Sequence, residues 1–474
     1  MAQTKASYAS ALMTVFGRNW ITLSGGVFAG VSALLFVVFM TLGMLQVVNS
    51  PYLGILTFLV LPVIFVGGLL LVPAGIYWGK DTFLGETPFP VIDFNCPHTR
   101  RVTLLVTVFT AFNLLLVGSA TFAGVHFMDS VTFCGEVCHT VMEPEHTAYL
   151  KSPHQRVACV ECHIGPGADW FVKSKLSGVR QIFAVAFGTY PEPIPSPVEN
   201  LRPSRETCEQ CHWPKKFAGD RLRVITHFQE DEVNTALKTI LLLHIGGGED
   251  SRTGIHSAHI NSDMQVYYTP ADAKRQVMSQ VRVVRNGAEE TIYRNSEGES
   301  QKEGEASVPE ERMMDCIDCH NRPSHIFKLP EEELDAALKD GRIDVGLPFI
   351  KKEGVEALKA AAGGPDGIEA IATHVRAFYK GNHPDVVDSE GQKLETAIQE
   401  LQAVYKANVF PKMGVTWNTY PRNIGHETAP GCFRCHNDSL VSSAGKTIGQ
   451  DCTTCHTVLA WDEEDPQILE DLGI

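Results

Sequence analysis

The chain has 474 residues, 44% of them hydrophobic, and its 40 Lys and Arg against 55 Asp and Glu leave a net charge of −15. That acidic balance argues against a nucleic-acid-binding protein and favours electrostatic steering of basic, soluble partners. The length allows two or three domains, and the apolar residues are gathered at the N-terminus rather than spread evenly.

Ile21 to Val48, Tyr52 to Trp78 and Val102 to Val125 contain no Asp, Glu, Lys or Arg. Each is long enough to cross a hydrocarbon core of about 30 Å as a helix, so three transmembrane helices are predicted within residues 1–127. The first run is too long for a cleaved signal peptide and leads straight into a second, so it is expected to stay as an anchor. Lys5 and Arg18 precede it, and Lys80, Arg100 and Arg101 lie between the second and third runs, whereas the hairpin at Asn49, Ser50 and Pro51 has no basic residue. This bias puts the N-terminus in the cytoplasm, the helices in a bacterial inner membrane and everything after about residue 127 in the periplasm.

Thirteen cysteines in an exported chain would ordinarily suggest disulfides, but their spacing says otherwise. Five pairs read C-x-x-C-H: Cys159, Cys162 and His163; Cys208, Cys211 and His212; Cys316, Cys319 and His320; Cys432, Cys435 and His436; Cys452, Cys455 and His456. This is the attachment signature of a c-type haem, in which two thiols form thioethers to the porphyrin and the next residue offers an imidazole to the iron. A zinc site would pair two C-x-x-C units with no fixed trailing His. A sixth pair, CGEVCH, puts three residues between Cys134 and Cys138 before His139. Its longer loop changes how His139 approaches the iron and makes Met142 an alternative ligand. Six covalently bound haem c groups are therefore expected, with Cys96 left over on the inner side.

An iron that shuttles electrons needs a sixth ligand. Eighteen histidines less the six in motifs, and less His98 and His126 near the membrane, leave ten on the outer side, enough for six bis-His sites. The best placed are His154, His325 and His426, followed by His227, His244, His256 and His259 in the long insert. No C-x-x-C-K occurs in the sequence, so a lysine-ligated catalytic haem is not expected.

Along the outer portion, residues 128–212 hold three haem motifs in so short a stretch that haem must stand in for an apolar core. Within them, Phe171, Leu176, Val179, Ile182, Phe183 and Phe187 fall on one face of a helix over Ala168 to Tyr190, with Lys173, Lys175 and Arg180 opposite. That pattern reads as a helix lying in the membrane interface. Residues 213–315 form an insert with strand-like alternation in Met264 to Tyr268 and Gln280 to Val284, a turn at Asn286 and Gly287, and a return strand from Glu290 to Tyr293. A Glu, Ser, Gly and Lys run from about 295 to 311 reads as a solvated loop. Residues 316–474 hold the last three motifs, with a helical stretch from 331 to 407 between the fourth and fifth. The predicted class is mainly α, with many irregular haem-wrapping segments and a small β insert, on a three-helix membrane anchor.

The stretch from Phe133 to Lys175, a motif with a nearby Met, then SPH, CVECHIGPG and a basic helix, resembles the NapC/NirT family of membrane-anchored quinol dehydrogenases over about residues 100 to 212. The three helices, the CHNRPSH and LPFI segments, and the closing IGHETAPGCFRCH and CTTCH are similar to the larger ImcH-type inner-membrane cytochromes over most of the chain. The resemblance implies oxidation of menaquinol from the quinone pool at the first haem and delivery of electrons to basic periplasmic cytochromes or another redox protein. It also implies that Met142 ligates the first haem, that Lys175 sits at the quinol site, and that His154 serves a haem other than its sequence neighbour. Two departures from the family pattern bear on this: the C-x-x-x-C-H spacing leaves His139 and Met142 both open, and the acidic residue some members carry after the lysine is here neutral Gln181 or Ile182. The competing reading is a haem-wire and anchor subunit of a larger respiratory or photosynthetic membrane complex with no quinone site of its own.

Overall fold

The computed structural model describes residues 20–44, 56–78, 94–137, 139–165, 168–198, 203–213, 219–246, 254–260, 264–285, 287, 289–296, 310–362, 364 and 366–474. Lys5, Arg18, the hairpin at residues 49–51, Lys80, Cys138, Asn286 and most of the predicted solvated loop lie outside them. The chain divides into two compact units, Met1–Cys138 and His139–Ile474.

In the first unit, helix α1 spans Trp20–Met44, a π-wound turn at Leu56–Val60 runs into α2 (Leu61–Trp78), and α3 spans Pro97–Met128. Glycines set how closely α1 and α2 approach. A Cβ on Gly25 would lie 2.8 Å from the Gly68 carbonyl oxygen, and one on Gly68 would lie 2.6 Å from the Ala29 nitrogen. Small residues permit this backbone contact, the packing device of helices in lipid, where apolar surface alone gives no drive to associate. Phe36, Leu61 and Ala120 bury one another where the three helices meet, while Leu34, Leu70, Leu105 and Phe122 point outward and exposed. Among the described residues two helices are long and apolar enough to span a membrane, Trp20–Phe39 and Pro97–Met128; the second predicted span is shorter, Leu61–Gly75. Leu56–Val60 are π-wound, so the α-helix proper starts at Leu61.

The second unit is mostly helical with two antiparallel sheets. Its helices before the insert are α4 (His139–Leu150), α5 (Cys159–His163), α6 (Ala168–Ala186) and α7 (Ser204–Cys208). In the insert, β1 (Asp220–Phe228) pairs with β2 (Ala236–His244), a short helix α8 covers Ile255–His259, and β3 (Met264–Pro270), β4 (Met278–Arg285) and β5 (Glu289–Asn295) form a meander. Gly287 makes the β4–β5 turn at φ +70°, where glycine carries no Cβ penalty. After β6 (Arg312–Met313) come α9 (Cys316–Cys319), α10 (Pro330–Lys339), α11 (Ile350–Ala361), α12 (Gly367–Asn382) and α13 (Pro384–Asn408). The chain closes with β7 (Leu440–Ser442), α14 (Cys452–Cys455), β8 (His456–Glu463) and α15 (Gln467–Leu472).

The last two strands leave the C-terminal segment to complete the insert's sheets, giving the orders β1-β2-β8 and β6-β3-β4-β5-β7. The insert and the C-terminal motifs thus form one structure. The largest apolar core belongs to α10–α13, where Leu334, Leu347, Ile350, Leu358, Ile371, Tyr379 and Leu401 are fully buried. Elsewhere apolar burial is sparse, as expected where prosthetic groups supply the interior.

Candidate haem-ligand sites

Four of the five C-x-x-C-H motifs fold around a single helical turn, α5, α9, a 3-10 turn at Gly431–Arg434, and α14, and the Cys208 motif turns just past α7, where Cys211 N and His212 N donate to the Cys208 carbonyl at 3.1 and 2.7 Å. A turn brings residues three apart to the same side, so both thiols face one way and the following histidine emerges beside them. Capping holds two of these short helices, which are too brief to persist on propensity. Asp315 accepts from Cys316 N at 2.7 Å, and Asp318 accepts from Asp315 N at 2.7 Å to complete a reciprocal box at α9. Asp451 accepts from Thr453 N at 3.0 Å at α14. None of the described cysteines is in a disulfide.

The motifs also hold one another. Ser204 N at the head of α7 donates to Asp315 Oδ2 at 2.8 Å, and Ile317 N of α9 donates to Ser204 Oγ at 3.4 Å. Arg434, inside CFRCH, is buried and donates to the Asp318 carbonyl at 2.6 Å, joining that motif to CIDCH. The thiols of Cys208 and Cys316 perturb one another's ionisation. Cys162 feels the charge of Cys208 and Cys211, Cys319 that of Cys432, and Cys455 that of Cys432. The five motifs are therefore neighbours in the order in which they occur along the chain.

Each motif histidine faces a second histidine from a remote segment. The ring centroids are 6.2 Å apart for His163 and His325, 5.9 Å for His212 and His154, 6.4 Å for His320 and His256, 6.0 Å for His436 and His259, and 6.2 Å for His456 and His426. An imidazole nitrogen binds a metal at about 2 Å and lies about 1.2 Å from its ring centroid, so two rings on opposite sides of one iron would have centroids about 6 Å apart. The residues fit a bis-His iron five times over. Burial holds His163, His256, His259, His320 and His325 below the usual imidazole range, which favours the neutral ring that carries a lone pair for a metal.

The pairing crosses between segments. CHNRPSH carries His320 for one pair and His325 for another, and its Pro323 carbonyl lies 3.3 Å from His154 Nδ1 of a third. Helix α8 places His256 and His259 one turn apart, facing two successive motifs. His154 faces His212 rather than His163, its neighbour in sequence.

His227 and His244 are not brought to a motif histidine among the described contacts. They belong to β1 and β2, where His227 lies 3.5 Å from Asp462, and His244 lies 3.1 Å from Asp220 and 3.0 Å from Thr457 Oγ1. A strand fixes the side-chain direction by its register, and this register directs both histidines to acidic and hydroxyl partners. Of the first motif, Cys134 is half-buried at the end of the first unit, and His139 begins α4, where Met142 is half-buried. Lys175 sits in α6, whose Leu176, Val179 and Phe183 are exposed, as is Phe187 just past its end. The residues that sequence reasoning missed are the acidic and basic ones around the motifs, Glu145, Asp315, Asp318, Arg322 and Arg434; the only signal for them was that the x positions of CIDCH and CFRCH carry charge.

No family model matches the chain, and no solved structure matches it. Two curated relatives do. Cytochrome c-type protein ImcH of Geobacter sulfurreducens is 42% identical over 449 residues, covering 93% of this chain and 88% of the relative. Cytochrome c-type protein NrfH of Wolinella succinogenes is 31% identical over 78 residues, covering 16% of this chain and 44% of the relative.

Proposed function

The chain belongs to the ImcH family of cytochrome c-type proteins, and from that premise we propose that it is a hexahaem quinol dehydrogenase anchored in the bacterial inner membrane by three helices. Its N-terminus is cytoplasmic and its haem domains are periplasmic: residues 128–212 for the first three haems, 213–315 for the insert, and 316–474 for the last three. The observation that carries the reading is the set of five histidine pairs at the spacing of a bis-His iron. Cys134 with Cys138, Cys159 with Cys162, Cys208 with Cys211, Cys316 with Cys319, Cys432 with Cys435 and Cys452 with Cys455 hold the haems by thioethers. His139 or Met142 completes the first site. Bound haem supplies reversible one-electron storage at each site.

Menaquinol gives up two electrons and two protons on oxidation. In this reading the apolar face of α6 rests in the membrane interface, its exposed Lys173 and Arg180 reach the headgroup layer, and Lys175 binds the quinol oxygen. The protons leave to the periplasm, and the electrons leave for a periplasmic redox protein whose basic surface the acidic chain attracts.

Reduction of the purified protein by a soluble menaquinol analogue tests this. The haems should be reduced, Lys175→Ala should slow that step roughly 10²-fold or more with haem content unchanged, and the mature polypeptide should carry six haem masses. A chain inert to quinols that copurifies with other membrane subunits would instead support the anchor-subunit reading.

A further inference from the structure

The groups that meet the Nδ1 of an iron-bound histidine decide how strongly the ring donates electrons to the metal. At most of the pairs these groups are neutral. His154 Nδ1 faces the Pro323 carbonyl at 3.3 Å, His259 Nδ1 the Ile255 carbonyl at 2.7 Å, and His436 Nδ1 the Gly449 carbonyl at 2.5 Å. His456 Nδ1 is buried with no hydrogen-bond partner among the described residues.

His325 differs. Its Nδ1 is hydrogen-bonded to the main-chain carbonyl of Glu145 at 3.0 Å, and the side-chain carboxylate of the same residue lies 3.3 Å from it. Glu145 lies on α4, the helix opened by the first motif's histidine. Arg322 fixes the carboxylate, donating to it from one nitrogen at 2.7 and 2.9 Å. Arg322 is itself buried, its guanidinium lies 4.2 Å above the Tyr420 ring, and its Nε donates to the His325 carbonyl at 2.5 Å. Glu145 also acts electrostatically on His163, so its charge reaches both rings of the pair.

We propose that Glu145 sets the redox potential of the second motif's site and makes it the lowest of the five histidine-paired sites. The inference rests on the reading of His163 and His325 as one iron's ligands. A carboxylate 3.3 Å from Nδ1 brings negative charge to short range of the ring, which favours the more positive, oxidised metal. Arg322 works against it by drawing the same carboxylate away. His456, with nothing to accept its proton, marks the opposite end of the scale. The first paired site in chain order thus holds an electron least tightly, and the last more tightly.

The two charged residues predict opposite shifts, which a merely structural role would not produce. In spectroelectrochemical titration of the holoprotein, isosteric Glu145→Gln should raise the lowest midpoint by about 59 mV, a tenfold change in that site's oxidised-to-reduced ratio. Arg322→Gln should lower the same midpoint, and the low-spin EPR signal of that site should move in both variants. Unchanged midpoints in Glu145→Gln, or shifts of the same sign in both, would overturn the proposal. If Glu145→Gln does not mature, Arg322→Gln decides alone: a downward shift supports the role and an upward or absent one removes it. His325→Met separates the two levels, because if no low-spin signal changes there, the ligand pairing fails rather than the role of Glu145.

Discussion

Tyr379 is fully buried in the haem-free bundle, and its hydroxyl donates to the Pro348 carbonyl at 2.8 Å. Burial, with the Glu353 carboxylate adding to it, raises its ionisation above the ordinary tyrosine value of about 10. The native state therefore keeps this proton at a pH where the unfolded chain has lost it, so its contribution is full below about pH 10 and declines as pH rises further. Tyr379→Phe is expected to cost about 1 kcal/mol at neutral pH, from the lost hydrogen bond. Above about pH 10 the urea midpoints of wild type and variant should converge, and parallel curves up to pH 12 would contradict this origin. The ligand residues show a different limit on what one residue can disclose. The motif histidines are legible because five consecutive residues carry their whole geometry. The distal ones are not: His256 and His244 are the same residue type in the same insert, yet α8 directs one to His320 and β2 directs the other to Asp220. That choice is made by helix phase and strand register, which a lone histidine does not encode.

The same separation of local from remote information holds for whole elements. The β4–β5 hairpin was readable from alternation and the glycine turn, and α10–α13 from their apolar period. The β1–β2 pair and the recruitment of β7 and β8 were not, because β8 follows directly on the last motif and finds its partner β2 more than two hundred residues earlier. In the first unit the helices were legible by composition, but their contact was not. A side chain at Gly68 would meet the backbone of α1, whereas one at neighbouring Gly67 would meet nothing within 4 Å. Gly68→Leu should therefore part α1 from α2 and destabilise the unit by about 1–3 kcal/mol or more through overpacking, while Gly67→Leu is tolerated. Unfolding midpoints of the two variants in detergent check this, and equal losses would deny that backbone contact matters.

At the scale of the molecule, two kinds of interior share one chain. The α10–α13 bundle encloses its own aliphatic core, extended by Phe228 and Trp417, and a domain of its size can fold on apolar burial alone. The motif-bearing segments around α4–α7, α9 and α14 have few buried apolar residues and are joined by polar contacts such as Ser204 to Asp315 and Arg434 to Asp318. Such segments cannot offset the conformational entropy of ordering without the prosthetic groups their cysteines are spaced to hold. Haem-free full-length chain, produced without haem attachment, should therefore be only partly folded. In hydrogen-exchange mass spectrometry, amides of α10–α13 should keep protection factors of roughly 10³ or more, while those of α4–α7, α9 and α14 exchange at rates near the unfolded chain. The strands of the insert should fall between, since β3–β5 have a small core at Tyr268, Met278 and Val281 but β7 and β8 reach them only through motif segments. Equal protection across both regions would mean that the motif segments fold without haem, and loss of protection throughout would mean that the bundle depends on them.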